Sequence, residues 1–280
     1  MLFRPFCFIL GLLLLASPGL AQQPARDFFG AVDHPTTGAS MPVGSYAKGC
    51  IAGAVQLPED GPGWQAMRPS RDRRWGTPEL VEYIAALARS SAQDGWPGIL
   101  VGDMGQPRGG PMKSGHASHQ VGLDVDIWLQ PMPDHTLSAT ERENLSAISV
   151  LKQGTRDVDP TRFGEAERLL IYRAAQLPGV ARIFVAPGIK KSLCATKWRD
   201  PGFLSRIRPW YGHDDHIHVR LACPAGATDC VDQDPVPSGD GCGAELDYWF
   251  TEAPYQPSPP SQPLTLADLP KACQSVLNAR

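Results

Sequence analysis

The chain has 280 residues, 42% of them hydrophobic and 20% charged, a balance that sustains a packed core and excludes wholesale disorder. A net charge of -3 lacks the basic excess of a nucleic-acid binder, so nucleic acid is not an expected partner. The 28 glycines and 28 prolines lie well above their usual combined share of roughly 12% and point to a loop-rich fold.

Met1–Ala21 reads as a secretory signal peptide. Arg4 precedes an apolar run from Phe6 to Ala16, and Gly19 and Ala21 occupy the small-residue positions of a cleavage site. The run is too short for the ~20 residues of a membrane span. No cysteine follows it to carry a lipid. The mature chain is therefore expected to have no membrane anchor and to work outside the cytoplasm. Cys7 leaves with the signal, and the six remaining cysteines, Cys50, Cys194, Cys223, Cys230, Cys242 and Cys273, are an even set suited to three disulfides in an oxidising compartment. The residues alone leave the pairing open, although Cys223 and Cys230 are near enough to close a small loop. No CxxC occurs, so a thiolate zinc site is not indicated.

Along the mature chain, residues 22–75 hold many turn formers and read as an irregular wrap. Thr77-Pro78-Glu79 opens a helix, with Thr77 as N-cap and Pro78 at the first helical position. Leu80, Tyr83, Ile84, Leu87 and Ala88 give it an apolar face as far as Ser91. Residues 98–104 predict a buried strand and 106–112 a loop. In residues 122–129, Leu123, Val125, Ile127 and Leu129 alternate with Asp124, Asp126 and Trp128, the pattern of a strand. Residues 139–151 and 164–177 predict helices, and 182–186 a strand. Residues 216–221 predict another strand, with His216, His218 and Arg220 on its polar face. Residues 253–270 are Pro-rich and predict an extended tail. The class is α+β: one domain over 22–252 followed by a C-terminal tail, 253–280.

Five of the seven histidines fall in two short segments. SGHASHQVGLDVD (114–126) holds His116, His119, Asp124 and Asp126; WYGHDDHIHVR (210–220) holds His213, His216 and His218. If the two strands are antiparallel neighbours, facing residues lie about 4.5–5.5 Å apart, which suits imidazole and carboxylate ligands on one ion. His119, Asp126 and His218 form such a set. Two imidazoles and a carboxylate leave a fourth tetrahedral vertex for water, the pattern of catalytic Zn2+. No HExxH is present, so the proton acceptor is expected to be His216, with His116 as the competing candidate. Asp124 is expected to orient a ligand imidazole, and His213 to support the ligands from beside them. A lone HxH strand is more often structural; the coincidence of all three motifs is what points to a metal. His34 and His135 lie in turn-rich stretches and read as surface residues. No GxSxG occurs and no Ser-x-x-Lys lies around a plausible nucleophile, so a serine mechanism is not expected.

The segments SGHASHQVGLDVDIWLQ and RPWYGHDDHIHVRLACP resemble the penicillin-insensitive murein endopeptidases, a family of the LAS metallopeptidases. So do VGDMG (101–105), RIFVAPGIKKSLC (182–194) and GDGCGAEL (239–246), and the likeness spans nearly the whole mature chain. The resemblance implies zinc held by His119, Asp126 and His218, with His216 as the adjacent catalytic histidine. It implies a small antiparallel sheet flanked by helices, and disulfides Cys50–Cys273, Cys194–Cys242 and Cys223–Cys230. It further implies hydrolysis of D-alanyl–meso-diaminopimelyl cross-links of peptidoglycan in the periplasm. The family also carries a second zinc at a homodimer contact, through the residue matching His116 and a downstream Asp…His; here LKQGTRDVD has no histidine to complete it. Two other functions fit the same motifs: a D-alanyl carboxypeptidase, and a non-catalytic, zinc-dependent wall-binding protein.

Overall fold

Thr77 caps the helix as its sequence predicts: its side chain accepts a hydrogen bond from the Leu80 backbone N–H at the start of α2 (Pro78–Ala92). The apolar face foreseen for this helix is the face it buries, through Leu80, Tyr83, Ile84, Leu87 and Ala88. In the computed structural model residues 23–257 and 261–279 are described; the expected signal peptide lies outside them. No helix among the described residues is long and apolar enough to cross a membrane.

The fold is α+β. Besides α2, its helices are α1 (Ala25–Phe29), α3 (Ala139–Asn144), α4 (Glu165–Gln176), α5 (Pro187–Ala195), α6 (Ala244–Tyr248) and α7 (Lys271–Asn278). Its strands are β1 (Met41–Ser45), β2 (Lys48–Ala52), β3 (Val55–Gln56), β4 (Asp60–Gly61), β5 (Trp64–Ala66), β6 (Trp75–Gly76), β7 (Ile99–Val101), β8 (Asp124–Trp128), β9 (Val180–Val185), β10 (Ile207–Pro209) and β11 (His216–Leu221). Seven of them form the main sheet in the order β10-β9-β11-β8-β7-β5-β4. The expected antiparallel centre is present as β9-β11-β8-β7, and the β10–β9 and β5–β7 pairings at its flanks are parallel. The core packs Val125, Ile127, Ile183, Ile217 and Val219 of the central strands against Ile84 and Leu87 of α2 and Leu170, Ile171 and Ala174 of α4.

Three stretches differ from the sequence reading. Residues 22–75 are not simply irregular: they hold α1 and six strands of two to five residues, too short to register a period, and the three residues of β5 are all buried. The helix expected over 139–151 stops at Asn144, because the next backbone groups find tertiary partners. Arg68 donates to the Leu145 carbonyl, and the Val150 N–H donates to Asp214 O at 2.7 Å. That pins the loop beside the histidine strand. The C-terminal segment contains 3-10 turns and ends in α7, which packs on β2 in a second small core of Ala25, Phe29, Val43, Cys50, Leu269, Cys273 and Val276.

All three disulfides implied by the resemblance are formed: Cys50–Cys273, Cys194–Cys242 and Cys223–Cys230. The first ties α7 to β2. Gly122 turns the chain into β8 at φ +71°, where an added Cβ would meet Gly76 Cα at 3.0 Å and Ile51 Cδ1 at 2.7 Å. Only glycine permits that approach.

Candidate metal centre

Strand register brings the two histidine-bearing segments together. β11 pairs antiparallel with β8 so that His218 lies opposite Asp126, Arg220 opposite Asp124 and His216 opposite Trp128. All five residues of β8 are buried, so its carboxylates face a closed space rather than solvent. His119 enters from the loop before β8 in a left-handed conformation, φ 64°. That is uncommon for a residue with a Cβ and costs roughly 1–3 kcal/mol. The Asp124 carboxylate offsets it by accepting the His119 backbone N–H at 2.9 Å. The imidazole Nδ1 donates to Met104 O at 2.8 Å, which turns Nε2 toward Asp126.

His119 Nε2 then lies 3.5 Å from Asp126 Oδ1. His218 Nδ1 lies 3.8 Å and His216 Nε2 3.7 Å from the same oxygen. Yet His119 Nε2 and Asp126 Oδ1 are buried and make no hydrogen bond. His218 Nε2 is also unbonded, since its 3.0 Å approach to Asp124 Oδ1 is out of line. Buried polar atoms are rarely left unpartnered. With His119 Nδ1 engaged by Met104, its Nε2 and a carboxylate oxygen converge here, and a cation between them satisfies both. The donor set therefore fits a divalent ion that takes nitrogen and oxygen ligands.

The local field divides the histidines. Burial pushes His218 down to about 4, although Asp124 pulls the other way. Burial, with His218 and His216 nearby, pushes His213 down to about 3. Both are neutral at pH 7, with ring lone pairs available. Burial also works against protonation of His216, but Asp126 and Asp215 outweigh it and lift the ring to about 9. Burial disfavours the ionised Asp126, yet the surrounding imidazoles, His119 first, hold it well below the usual carboxylate range.

At the mouth, His116 Nε2 is 3.0 Å from Asp103 Oδ2 and 3.4 Å from Asp126 Oδ2. His116, His119 and Asp126 offer ligand atoms that all lie within 4.8 Å of one another. The mouth opens into a cleft of about 330 Å³, lined by Arg68, Arg71, Trp128, Ser146, Asp215 and His216 among others.

Residues 42–278 match the family model described as penicillin-insensitive murein endopeptidase. The chain belongs to this family. It is 44% identical over 242 residues to the penicillin-insensitive murein endopeptidase of Haemophilus influenzae, covering 86% of this chain and 84% of the relative. The like-named proteins of Yersinia enterocolitica and Klebsiella pneumoniae are 41% and 42% identical, with coverages of 97% and 97%, and 95% and 96%, of this chain and the relative respectively. Family membership makes the chain a peptidase.

Each residue singled out in the sequence has a definite place in this family member. His119, Asp126, His216 and His218 converge, and His116 guards the mouth. Asp124 lies beneath, bound by Arg220 Nε at 2.7 Å and Nη2 at 3.2 Å. His213 stands beside the cluster, its ring 5.1 Å from that of His216 and its Nδ1 on Tyr211 O. His34 and His135 are exposed, as read. Two acids were not singled out. Asp215 accepts from His216 Nδ1 at 2.5 Å. Asp103 accepts from Arg73 at 2.8 Å and Arg71 at 3.1 Å, and although burial opposes its ionisation, His116 and Arg73 hold it at about 2. Asp215 adjoins His216 in the chain; Asp103 lies in VGDMG, a family-like segment whose apolar pattern marks a strand and gives the acid no role of its own.

Proposed function

We propose that this protein is a zinc-dependent murein endopeptidase that hydrolyses D-alanyl–meso-diaminopimelyl cross-links of peptidoglycan in the periplasm. Family membership and the names of the relatives support murein as substrate. The observation that carries the metal is the meeting of His119 Nε2 and Asp126 Oδ1, two buried atoms without a hydrogen bond, beside the neutral His218. His119, Asp126 and His218 would hold the zinc. Bound there, zinc supplies Lewis acidity toward water and toward the scissile carbonyl.

The chain's own groups do the rest. Asp124 fixes the His119 backbone and, through Arg220, stays ionised. His216 Nδ1 is locked on Asp215, so Nε2 is the atom free to exchange a proton with the reacting groups. Arg68 and Arg71 line the cleft together with Asp103, Asp126 and Asp215; Arg71 is paired with Asp103, so Arg68, held on backbone carbonyls, is the cation that would meet a free carboxylate of the peptide. β-Lactams act by acylating a nucleophilic side chain, which hydrolysis by activated water does not require, in keeping with the relatives' description as penicillin-insensitive.

The test is digestion of purified cross-linked muropeptides with mass analysis of the products. Loss of the cross-linked dimer without release of free D-alanine identifies an endopeptidase; free D-alanine would make the protein a carboxypeptidase. Binding to sacculi without any product would make it a wall-binding protein. Zinc content separates the ligands: His119→Ala and His218→Ala lose zinc, whereas His116→Ala keeps it. Retention of zinc by His218→Ala together with loss by His116→Ala would transfer the third ligand to His116.

A further inference from the structure

Beside the histidine cluster stands a group of aromatic rings that the chemistry above leaves unused. Trp210, Tyr211 and Tyr248 are 42%, 53% and 49% exposed. They are not scattered. Trp210 stacks on Tyr211 at 5.3 Å and meets Trp249 at 5.6 Å, and Trp249 meets Tyr248 at 6.0 Å. Lone exposed apolar side chains are ordinary, but a contiguous aromatic surface marks a binding site.

The surface is rigid and joined to the centre. Trp210 follows β10 and its N–H donates to Val185 O at 2.8 Å. Tyr248 and Trp249 end α6, which is anchored by the Cys194–Cys242 disulfide just before it and by an ion pair between Glu245 and Arg208. Phe184 bridges inward, its ring 6.1 Å from Trp210 and 5.2 Å from His218.

We propose that Trp210, Tyr211, Tyr248 and Trp249 form a sugar-stacking platform for the glycan strand from which the cleaved peptide hangs. The proposal rests on the murein reading above. In murein the D-alanyl residue of the cross-link is fourth in a stem that begins on an N-acetylmuramyl sugar. Four extended residues reach ~13–14 Å. Two ring-to-ring steps of 5.2 and 6.1 Å bring the platform within that reach of His218. The neighbouring Arg208 is engaged by Glu245, so its charge is not offered to a carboxylate-rich peptide, and the rings favour a neutral sugar. The C–H faces of pyranose rings pack flat on indole and phenol, as apolar groups do on aromatic faces generally. A ring platform already held in place loses little freedom on binding.

Two substrates for the zinc-loaded enzyme test this: a cross-linked muropeptide dimer bearing its disaccharides, and the same peptide dimer with the sugars removed by an amidase. Trp210→Ala and Tyr211→Ala each lower kcat/KM about tenfold on the sugar-bearing dimer, through KM, and leave the sugar-free dimer within about twofold. Trp210→Phe retains most of the wild-type value. Peptide-free glycan strands quench tryptophan fluorescence of the wild type and not of Tyr211→Ala or Trp210→Ala. Equal losses on both substrates would make the peptide the occupant and overturn the proposal, as would no loss on either, or no binding of glycan strands. If the wild type cuts neither dimer, the endopeptidase reading fails, and the glycan titration still decides the platform.

Discussion

Replacing Arg220 by Met removes the counter-charge beneath the proposed zinc site while nearly preserving volume. Arg220 and Asp124 side chains are 7% and 0% exposed, and two hydrogen bonds join them. Removing one partner of such a buried pair strands the other charge and costs about 3–5 kcal/mol. For a domain of this size each kcal/mol is worth ~2–4 °C, so Tm falls on the order of 10 °C. The effect reaches the metal, because Asp124 also holds His119 in its left-handed backbone conformation through the 2.9 Å bond. Groups that orient metal ligands typically change affinity about 10–100-fold, and Arg220→Met is expected within that range. Calorimetry gives Tm, and competition with a chromogenic chelator gives zinc affinity. A second variant separates the two effects. Arg220→Met combined with Asp124→Leu buries no lone charge and recovers part of the lost Tm, but the His119 N–H has lost its acceptor, so zinc affinity stays low. A single Arg220→Met variant that melts within 2 °C of the wild type and binds zinc equally well would refute the reasoning.

Asp215→Asn keeps the size of the group that fixes His216 Nδ1 but lowers its charge; zinc content stays unchanged and kcat falls about tenfold or more, read from zinc assay and turnover on cross-linked dimers. Replacing both Cys50 and Cys273 by Ala opens a loop of 223 residues, whose closure is worth ~5 kcal/mol in the chain-entropy picture; Tm drops, and limited proteolysis first cuts the segment leading to α7. Lys190 is buried and donates to the carbonyls of Leu204 and Asp240, and burial, with Arg208 nearby, pushes its amine down to about 8. Between that value and the usual pKa near 10.4 the unfolded chain binds the extra proton, so the wild type gains stability relative to Lys190→Met as pH rises, by up to ~3 kcal/mol. Denaturant melts at pH 7.5 and pH 10 measure it, and parallel curves for the two proteins would exclude the effect.

What the residues declare on their own is periodic or punctuated. Thr77-Pro78 and the apolar spacing that follows declare α2; the alternation in GLDVDIWL and HIHVRL declares β8 and β11. The helix over 139–151 was overrun because nothing in LSAISV reveals that Arg68 and Asp214 will take its backbone groups. The strands before Gly76 are hidden by their brevity: two to five residues are too few to register a period.

The same division runs through the site. Which side chains gather there was set by local chemistry: histidines and aspartates on the polar faces of two strands, and a third donor on a glycine-rich loop leading into one of them. How they meet was decided by the sheet. Pairing β11 against β8 sets His218 facing Asp126, and a shift of one residue would turn every one of these groups to the opposite face. Asp103, Arg73 and Arg220 became part of the centre through contacts across 30 to 96 positions of chain. Such contacts depend on where folding places each backbone, and local pattern carries no record of that.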